Sequence, residues 1–487
     1  MRIDSPSTLR KRGINMHGRT LHTIVIGAGP GGYTAAFEAA KRGSSVTIVD
    51  RDRPGGTCLQ HGCVPVEVLA RSAELFSVVR DAGRYGIACP EPVVEYERII
   101  ERKNDIVKVN ENGLVRLFAS HDIKHVAGTA RIVSPNTVEI NGSVFEADRI
   151  VCAQGSRTLA LPGITIDQET ILDCEGALTA TSLPKSVVIL GGGVIGCEFS
   201  SLYRAYGVEV TIIEKCRCLL PLWDADVSSS VSQTLKRRGV DIRTGVSVTG
   251  VSPAYDNKGV MVTDESGTVN EADICLLALG RVPAVEDTGV SDIGMMIDPR
   301  SGGIFVDRWQ ETSIPSIYAV GDVTGGMMLA HVAEAEAEVA VKHMFGENPK
   351  PVDYRAVPQS CRVMPAAASA GLTEREAESL ESGEYEIAKI PFRTNSAAHA
   401  YGDPSGFVKV IAEKESGVVA GVHIVGHNAS ELIAECSVII RNRLTVHDIA
   451  STVHAHPTMS ETLRSAMKEL SDRVHSVSYT HLRAHET

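Results

Sequence analysis

Two stretches of the chain carry the same pattern of apolar and polar positions. Thr23 to Asp50, TIVIGAGPGGYTAAFEAAKRGSSVTIVD, passes from a β-branched run through a glycine turn into a helical segment, then into a second apolar run that ends on an acid. Ser186 to Glu214, SVVILGGGVIGCEFSSLYRAYGVEVTIIE, repeats it. Each reads as strand, turn, helix, strand. DADVSSSVSQTLKRRGVDIRTG then predicts an amphipathic helix running into a strand, and Ser247 to Val269 alternates as β segments with turns at YDNKG and DESG. From about Ala284 the chain leads to a strand, an acidic turn and a long helix in GIFVDRWQETSIPSIYAVGDVTGGMMLAHVAEAEAEVAVKHMFG. Pro349 and Pro351 mark a linker. Val352 to Val474 alternates strands, as in FVKVIAEKESGVVAGVHIVG, with helices, which predicts a further α+β domain. The final SVSYTHLRAHET lacks apolar periodicity. It is expected to be a disordered tail or non-native sequence that does not continue the helix beginning near Ser460.

Each repeated stretch places Gly-x-Gly-x-x-Gly directly after its first apolar run: Gly27, Gly29 and Gly32, then Gly191, Gly193 and Gly196. Such glycines permit a tight turn, let the backbone approach a pyrophosphate and allow close helix packing, while the helix N-terminus stabilises the phosphates. One such motif is weak evidence; two, each followed by an acid at the end of the next strand, point to two bound dinucleotides. Asp50 and Glu214 would accept hydrogen bonds from ribose hydroxyls, and Glu214 would repel a 2'-phosphate, which favours NAD over NADP at the second site.

The chain's 487 residues exceed what one core usually serves, so two to four domains are expected. A net charge of -12 leaves no surplus of Lys and Arg for nucleic acid or a membrane surface. No apolar run reaches the roughly 18 to 20 residues of a membrane helix. Residues 1–20 carry several arginines but no secretory core, and are expected to be a disordered leader, with Met16 an alternative start and an organelle-targeting peptide the competing reading. A cytoplasmic location follows as the expectation. Eleven cysteines at irregular spacing are not a secreted disulfide framework, and none forms a metal set with histidine.

Only Cys58 and Cys63, in GGTCLQHGCVPVEVL, lie in a chemical context. In a regular helix they would point roughly 140° apart, so a bridge between them requires a distorted turn, which Gly62 makes easier. A strained bridge suits a disulfide that opens and closes in catalysis. Far along the chain, in TVHAHPTMSETL, Glu461 could orient His456 across a turn opened by Pro457 and capped by Ser460, and an imidazole is the base a thiol needs near neutral pH.

From about Leu21 to Val474, the order of GGTCLQHGC, the two glycine motifs, ALGRVP, YAVGDVTGGMMLAHVAEAEA, GVHIVGHNASELIAE and HAHPTMSE resembles the flavin-dependent pyridine nucleotide-disulfide oxidoreductase family, and within it the members that oxidise dihydrolipoyl groups. The resemblance implies an α/β fold: two Rossmann-like dinucleotide-binding domains plus a C-terminal α+β dimerisation domain. The division would be 21–162 (FAD-binding, with the dithiol), 163–283 (NAD-binding), 284–351 (central, completing the FAD domain) and 352–474 (interface), with 475–487 a tail. FAD would lie against Gly27, Gly29, Gly32, Asp50, Gly56, Thr57, Glu67, Gly128, Ala130, Gly155 and Ser156. Asp322 with Met328, Leu329, Ala330 and His331 would close over the flavin side. NAD would lie against Gly191, Gly193, Gly196, Glu198, Glu214, Val248 and Gly280. Cys58 would exchange with substrate and Cys63 sit against the flavin, while His456 and Glu461 would serve the other subunit of a homodimer. Electrons would pass from dihydrolipoamide to the disulfide, to FAD and to NAD, the lipoyl group being carried by a partner protein of a 2-oxoacid dehydrogenase or glycine cleavage system.

Two positions and one segment depart from that pattern. The family usually has lysine at position 67, paired near the flavin with the glutamate that here is Glu198. If Glu67 met Glu198 at about 4 Å, repulsion would be about 4 kcal/mol at an effective dielectric of about 20, so one carboxyl would be protonated or the two would point apart, and the flavin potential would be lowered. Gln154 stands for a usual threonine, and RVMPAAAS, Arg362 to Ser369, for a segment closer to THPEVAS. The alternatives are a mercuric or glutathione-type reductase, disfavoured because no C-terminal cysteine pair is present and Glu214 opposes NADPH, and a non-catalytic FAD-binding paralogue.

Overall fold

The computed structural model describes residues 19–254, 259–380 and 384–484. The expected leader lies outside the described residues except for its last two, of which Arg19 pairs with Asp148 at 3.1 Å. The first apolar run forms β1 (His22–Ile26), followed by α1 (Pro30–Lys41) and β2 (Ser45–Asp50). Two helices meeting end to end, α2 (Gly56–Gln60) and α3 (Cys63–Arg80), then a long α4 (Tyr96–Ser120), lead to β3 (Lys124–Ala127). An antiparallel trio, β4 (Ala130–Ser134), β5 (Thr137–Ile140) and β6 (Ser143–Glu146), precedes β7 (Arg149–Cys152).

The second unit follows through β8 (Ser156–Thr158), β9 (Ile171–Leu172) and α5 (Cys174–Thr179). It repeats the scheme with β10 (Ser186–Leu190), α6 (Val194–Ala205), β11 (Glu209–Glu214), α7 (Ala225–Arg237) and β12 (Asp241–Thr244). Its antiparallel trio is β13 (Val248–Pro253), β14 (Val260–Asp264) and β15 (Val269–Ala272), followed by β16 (Ile274–Leu277). β17 (Arg281–Pro283) pairs with β8 as the crossing back to the first unit, which β18 (Ile317–Ala319) and α8 (Ala330–Met344) complete. The two parallel sheets have matching orders, β18-β7-β1-β2-β3 and β12-β11-β10-β16-β9. In each, the first strand of the glycine motif lies between the strand that follows its helix and a strand from later in the chain, which opens a crevice at the strand ends above the glycine turn.

These strands read as unbroken apolar runs because both sheet faces are covered. Val25, Ile48 and Val151 face the helices with Ala35, Ala36 and Ala337, while Ile24, Val49 and Ile150 face the side of the antiparallel trio with Ile132 and Val138. Small alanines on α1 and α8 let those two helices pack closely against one another.

The third domain holds an antiparallel sheet, β19-β20-β23-β22-β21, built from β19 (Gln359–Cys361), β20 (Ala367–Gly371), β21 (Tyr385–Pro391), β22 (Phe407–Glu413) and β23 (Val419–Val425). Between its strands come α9 (Glu374–Ser379) and α10 (Ser396–Ala400), and after them α11 (Ala429–Arg441), α12 (Val446–Ser451) and α13 (Ser460–Ala484). The last helix corrects the sequence reading: α13 runs on through Ala484. No glycine or proline interrupts it beyond Val474, and extending a helix is far less costly than starting one. Among the described residues no helix is long and apolar enough to cross a membrane.

The third domain is tied to the second by a buried ionic cluster. Lys409, on β22 and 1% exposed, donates to Asp224 at 2.9 and 3.0 Å, to Asp226 at 2.9 Å and to Glu374. Burial pushes the Asp224 carboxyl up, but the His423 and Lys409 charges and hydrogen bonds hold it below the usual carboxylate range. Removing the cation leaves Asp224 buried without its partner, so Lys409→Met is expected to cost about 3 to 5 kcal/mol. A urea denaturation series would register this as a clearly lower midpoint.

Candidate active site

The two glycine turns are near copies. Gly27 has φ +102 and Gly191 φ +106, and a Cβ at either would lie 2.1 Å from the Ala153 carbonyl oxygen or 2.3 Å from that of Ala278, so no other residue fits. The acids expected to hold ribose are locked over these turns. Asp50 Oδ2 accepts the Ala28 N–H at 2.6 Å; Glu214 Oε2 accepts the Gly192 N–H at 2.5 Å and its Oε1 the Cys216 N–H at 2.6 Å. Gly29 and Gly193 stand at the N-caps of α1 and α6 with no side chain capping the helix. Those uncapped N–H groups and the positive helix ends suit phosphate. A Cβ at Gly29 would come 3.8 Å from the Gly56 Cα, while one at Gly193 would meet nothing within 4 Å. The Gln154 amide, between Ala153 and Gly155, is buried and finds no hydrogen-bond partner beyond the Cys152 thiol. Both sites therefore fit a dinucleotide.

Around the first turn, the Gly128 N–H donates to the Asp50 carbonyl at 2.7 Å, and Gly32 is buried beneath it in α1. Thr57 is exposed on α2. Ala130 turns its side chain into the core with Ile132, Val138 and Ile140, so only its backbone can face a ligand. Around the second, Gly196 is buried in α6, Val248 opens β13, and the Gly280 carbonyl accepts the Leu159 N–H at 3.0 Å.

Gly62, at φ -149 and ψ -113, stops α2 and lets Cys63 begin α3. The distortion inferred from the spacing is present, and the Cys58 and Cys63 thiols, unbridged here, hydrogen-bond to each other. They are not equivalent. The hydrogen bond from Cys58 holds the Cys63 thiol below its ordinary value against burial, and Cys63 stands at the positive end of an 18-residue helix. Cys58 is pushed far up by the same hydrogen bond, by burial and by the charges of Cys63, Glu334 and Asp322. Of the two, Cys63 is the more readily ionised.

Asp322 accepts from the Ser156 hydroxyl at 2.5 Å, and Arg281 donates to the Ser156 hydroxyl at 2.6 Å and carbonyl at 2.7 Å. The Gly155 carbonyl accepts the Ala284 N–H at 3.0 Å. Tyr33 donates to Glu334 at 2.8 Å beside Cys58. Met328 and Leu329 are half-buried ahead of α8, where Leu329 is the N-cap and Ala330 the first helical residue; His331 is exposed and its Nε2 lies 2.9 Å from the Pro358 carbonyl.

Glu67 does not stand unopposed. The Glu67 carboxylate pairs with the Arg362 guanidinium, and Glu198 Oε1 accepts the Arg362 main-chain N–H at 2.7 Å. An arginine from the third domain stands where the repulsion was expected. Glu198 is still pushed up to about 7, by burial first, with the Cys63 and Glu67 charges adding to it and Arg362 opposing it.

His456 Nδ1 lies 2.9 Å from Glu461 Oε1, and Glu461 Oε2 accepts the Thr458 N–H at 2.9 Å. Ser460, expected as a cap, is the first residue of α13. The Thr458 hydrogen bond, then that to His456, holds the Glu461 carboxyl below its usual range. The His456 side chain is 73% exposed. Among the described residues no hydrogen bond or ion pair joins it to Cys58 or Cys63.

Sequence reasoning missed Arg281, Arg362, Tyr33 and Glu334. Arg281 sat in the quoted ALGRVP and Arg362 opened a segment noted only as a departure. Among the described residues, no group of three or more His, Cys, Asp or Glu side chains is placed to hold a metal ion.

Two dinucleotide crevices and an asymmetric dithiol define an oxidoreductase that couples a nicotinamide to a disulfide through a flavin. Residues 21–337 match the family model described as pyridine nucleotide-disulphide oxidoreductase, and residues 357–467 match its dimerisation domain. The chain belongs to this family, whose members use FAD and NAD(H), and the dimerisation domain supports a homodimer. It is 36% identical over 443 residues to a dihydrolipoyl dehydrogenase of Chlamydia muridarum, covering 90% of this chain and 94% of that one. It is 35% identical over 464 residues to a leghemoglobin reductase of Glycine max, covering 93% and 88%. The solved structure of LpdA from Mycobacterium tuberculosis is similar with a TM-score of 0.87 at 29% identity, covering 92% of this chain and 99% of that one.

If Cys58 holds the Cys63 thiolate, Cys58→Ala should raise the Cys63 titration midpoint by about 1 to 2 units, the worth of one hydrogen bond to a charged group. The pH dependence of ultraviolet thiolate absorbance in the reduced protein measures it.

Proposed function

We propose that this chain is an NAD-dependent dihydrolipoyl dehydrogenase, a cytoplasmic homodimer acting on a lipoyl group carried by a partner protein of a 2-oxoacid dehydrogenase or glycine cleavage system. The observation that carries the reading is the dithiol of unequal acidity between α2 and α3. A dihydrolipoyl thiolate attacks the Cys58 sulfur of the oxidised pair, and Cys63 leaves as the thiolate that its surroundings favour. The second dihydrolipoyl thiol then displaces Cys58. The substrate closes to a cyclic disulfide, and the protein keeps both electrons in two thiols. The protons released need a base, and His456 of the partner subunit is suited to take them, with Glu461 holding its Nδ1 and so making Nε2 the basic nitrogen. Bound FAD supplies the two-electron relay from the dithiol to the nicotinamide. Glu214 would accept from the NAD ribose and repel a 2'-phosphate.

A second reading, a reductase of another disulfide, draws support from the altered charges at 67 and 362. NAD reduction by dihydrolipoamide, with NADP as control, separates the two: absence of turnover in the FAD-loaded dimer would reject the dihydrolipoyl assignment. Cys58→Ser should abolish turnover, and His456→Gln should lower it by about 10²- to 10⁴-fold, as loss of a general base does. Glu214→Ala should cut the preference for NAD over NADP by roughly 10- to 100-fold, read from the two kcat/KM values.

A further inference from the structure

Cys63 and Glu67 lie four positions apart on α3 and so share a face of that helix. Glu198, on α6, adds a second carboxyl to the same neighbourhood, where its charge and that of Cys63 act on each other. Two carboxyls and a thiol thus share one neighbourhood, and among the described residues Arg362 engages both carboxyls: its guanidinium takes Glu67 and its main-chain N–H takes Glu198 at 2.7 Å. The arginine's position is set by its flanks. Cys361, at the end of β19, is fully buried with its sulfur 3.9 Å from the Val194 carbonyl at the start of α6, and the Met364 N–H donates to Ser201 on α6 at 3.2 Å.

We propose that Arg362 is a positioning and charge-balancing residue of the redox centre, a cation delivered from the third domain that neutralises Glu67 and fixes Glu198, and so permits a thiolate at Cys63. This deepens the reading of Cys63 as a redox thiol and does not depend on which disulfide is the substrate. The other groups acting on Cys63 are Cys58, Asp322 and Arg281, with Glu198 coupled to it and Tyr33 and Glu334 beside Cys58. Arg281 is tied up with Ser156 and lies 3.9 Å from Asp322, so it does not replace Arg362 at Glu67.

The test is a charge cycle in the FAD-loaded, two-electron-reduced dimer, titrating Cys63 by the long-wavelength absorbance that a thiolate gives against bound flavin. Arg362→Gln should raise the Cys63 midpoint by about one unit, a tenfold drop in the thiolate-to-thiol ratio at fixed pH. Arg362→Lys should stay near wild type. Glu67→Gln, which leaves the arginine unopposed, should lower the midpoint. Glu67→Gln with Arg362→Gln should return it towards wild type. If Arg362→Gln does not fold, the Glu67→Gln direction decides. Unmoved midpoints in Arg362→Gln or Glu67→Gln, or a double variant shifted as far as Arg362→Gln, would overturn the proposal and leave Arg362 a structural tie. A wild type without any thiolate–flavin absorbance would overturn the redox-centre reading itself, and the proposal with it.

Discussion

The break between α2 and α3 at Gly62 brings two sulfurs within a hydrogen bond of each other, where an unbroken helix would turn them roughly 140° apart. The break also makes Cys63 the first residue of α3, exposed to the positive end of that helix, while Cys58 stays on the preceding turn among Tyr33, Glu334 and Asp322. One geometric event therefore supplies both proximity and asymmetry. A dithiol with one low and one high acidity opens in a defined sense, because the better leaving thiolate is decided before substrate arrives.

The remainder of the molecule holds that pair against two dinucleotide crevices. Duplicated strand-turn-helix units give each crevice an acid locked over its glycine turn, Asp50 on Ala28 and Glu214 on Gly192. The third domain reaches into the rest of the chain at two places: Lys409 enters a cluster of carboxylates around Asp224, and Arg362 enters another around Glu67 and Glu198. Both contacts pair a cation of the third domain with acids presented from elsewhere in the chain. Charge complementarity of this kind fixes orientation between domains more than it adds net stability.

What could be read from the sequence was whatever is written locally. The glycine motifs, Asp50 and Glu214 at strand ends, the Cys58–Cys63 spacing and the His456–Glu461 pair all lie within short windows, and each was found where its pattern pointed. The partners that tune these groups were hidden because they come from far away in the chain. Arg362 meets Glu67 and Glu198 across long separations, and Arg281 meets Ser156 across the β8–β17 crossing. Considered alone, Glu67 looked like an unbalanced charge, because the compensating arginine belonged to a segment noted only as a second departure. Two departures were one exchange. Lys409 gave even less warning, since a lysine at an alternating strand position looks solvent-facing, whereas here it is buried by a neighbouring domain. The helical tail beyond Val474 was missed for another reason: without apolar periodicity it gave no signal of burial, yet a helix already nucleated needs only the absence of breakers to continue.

The proposed chemistry moves electrons between a nicotinamide and the Cys58–Cys63 pair. The most direct measurement counts thiols in the air-oxidised, FAD-loaded protein before and after anaerobic NADH, with the labelled residues assigned by mass spectrometry. Two new thiols per chain are expected, at Cys58 and Cys63, and none in a Cys58→Ser variant. Consumption of NADH with no gain of thiols at those positions would contradict it.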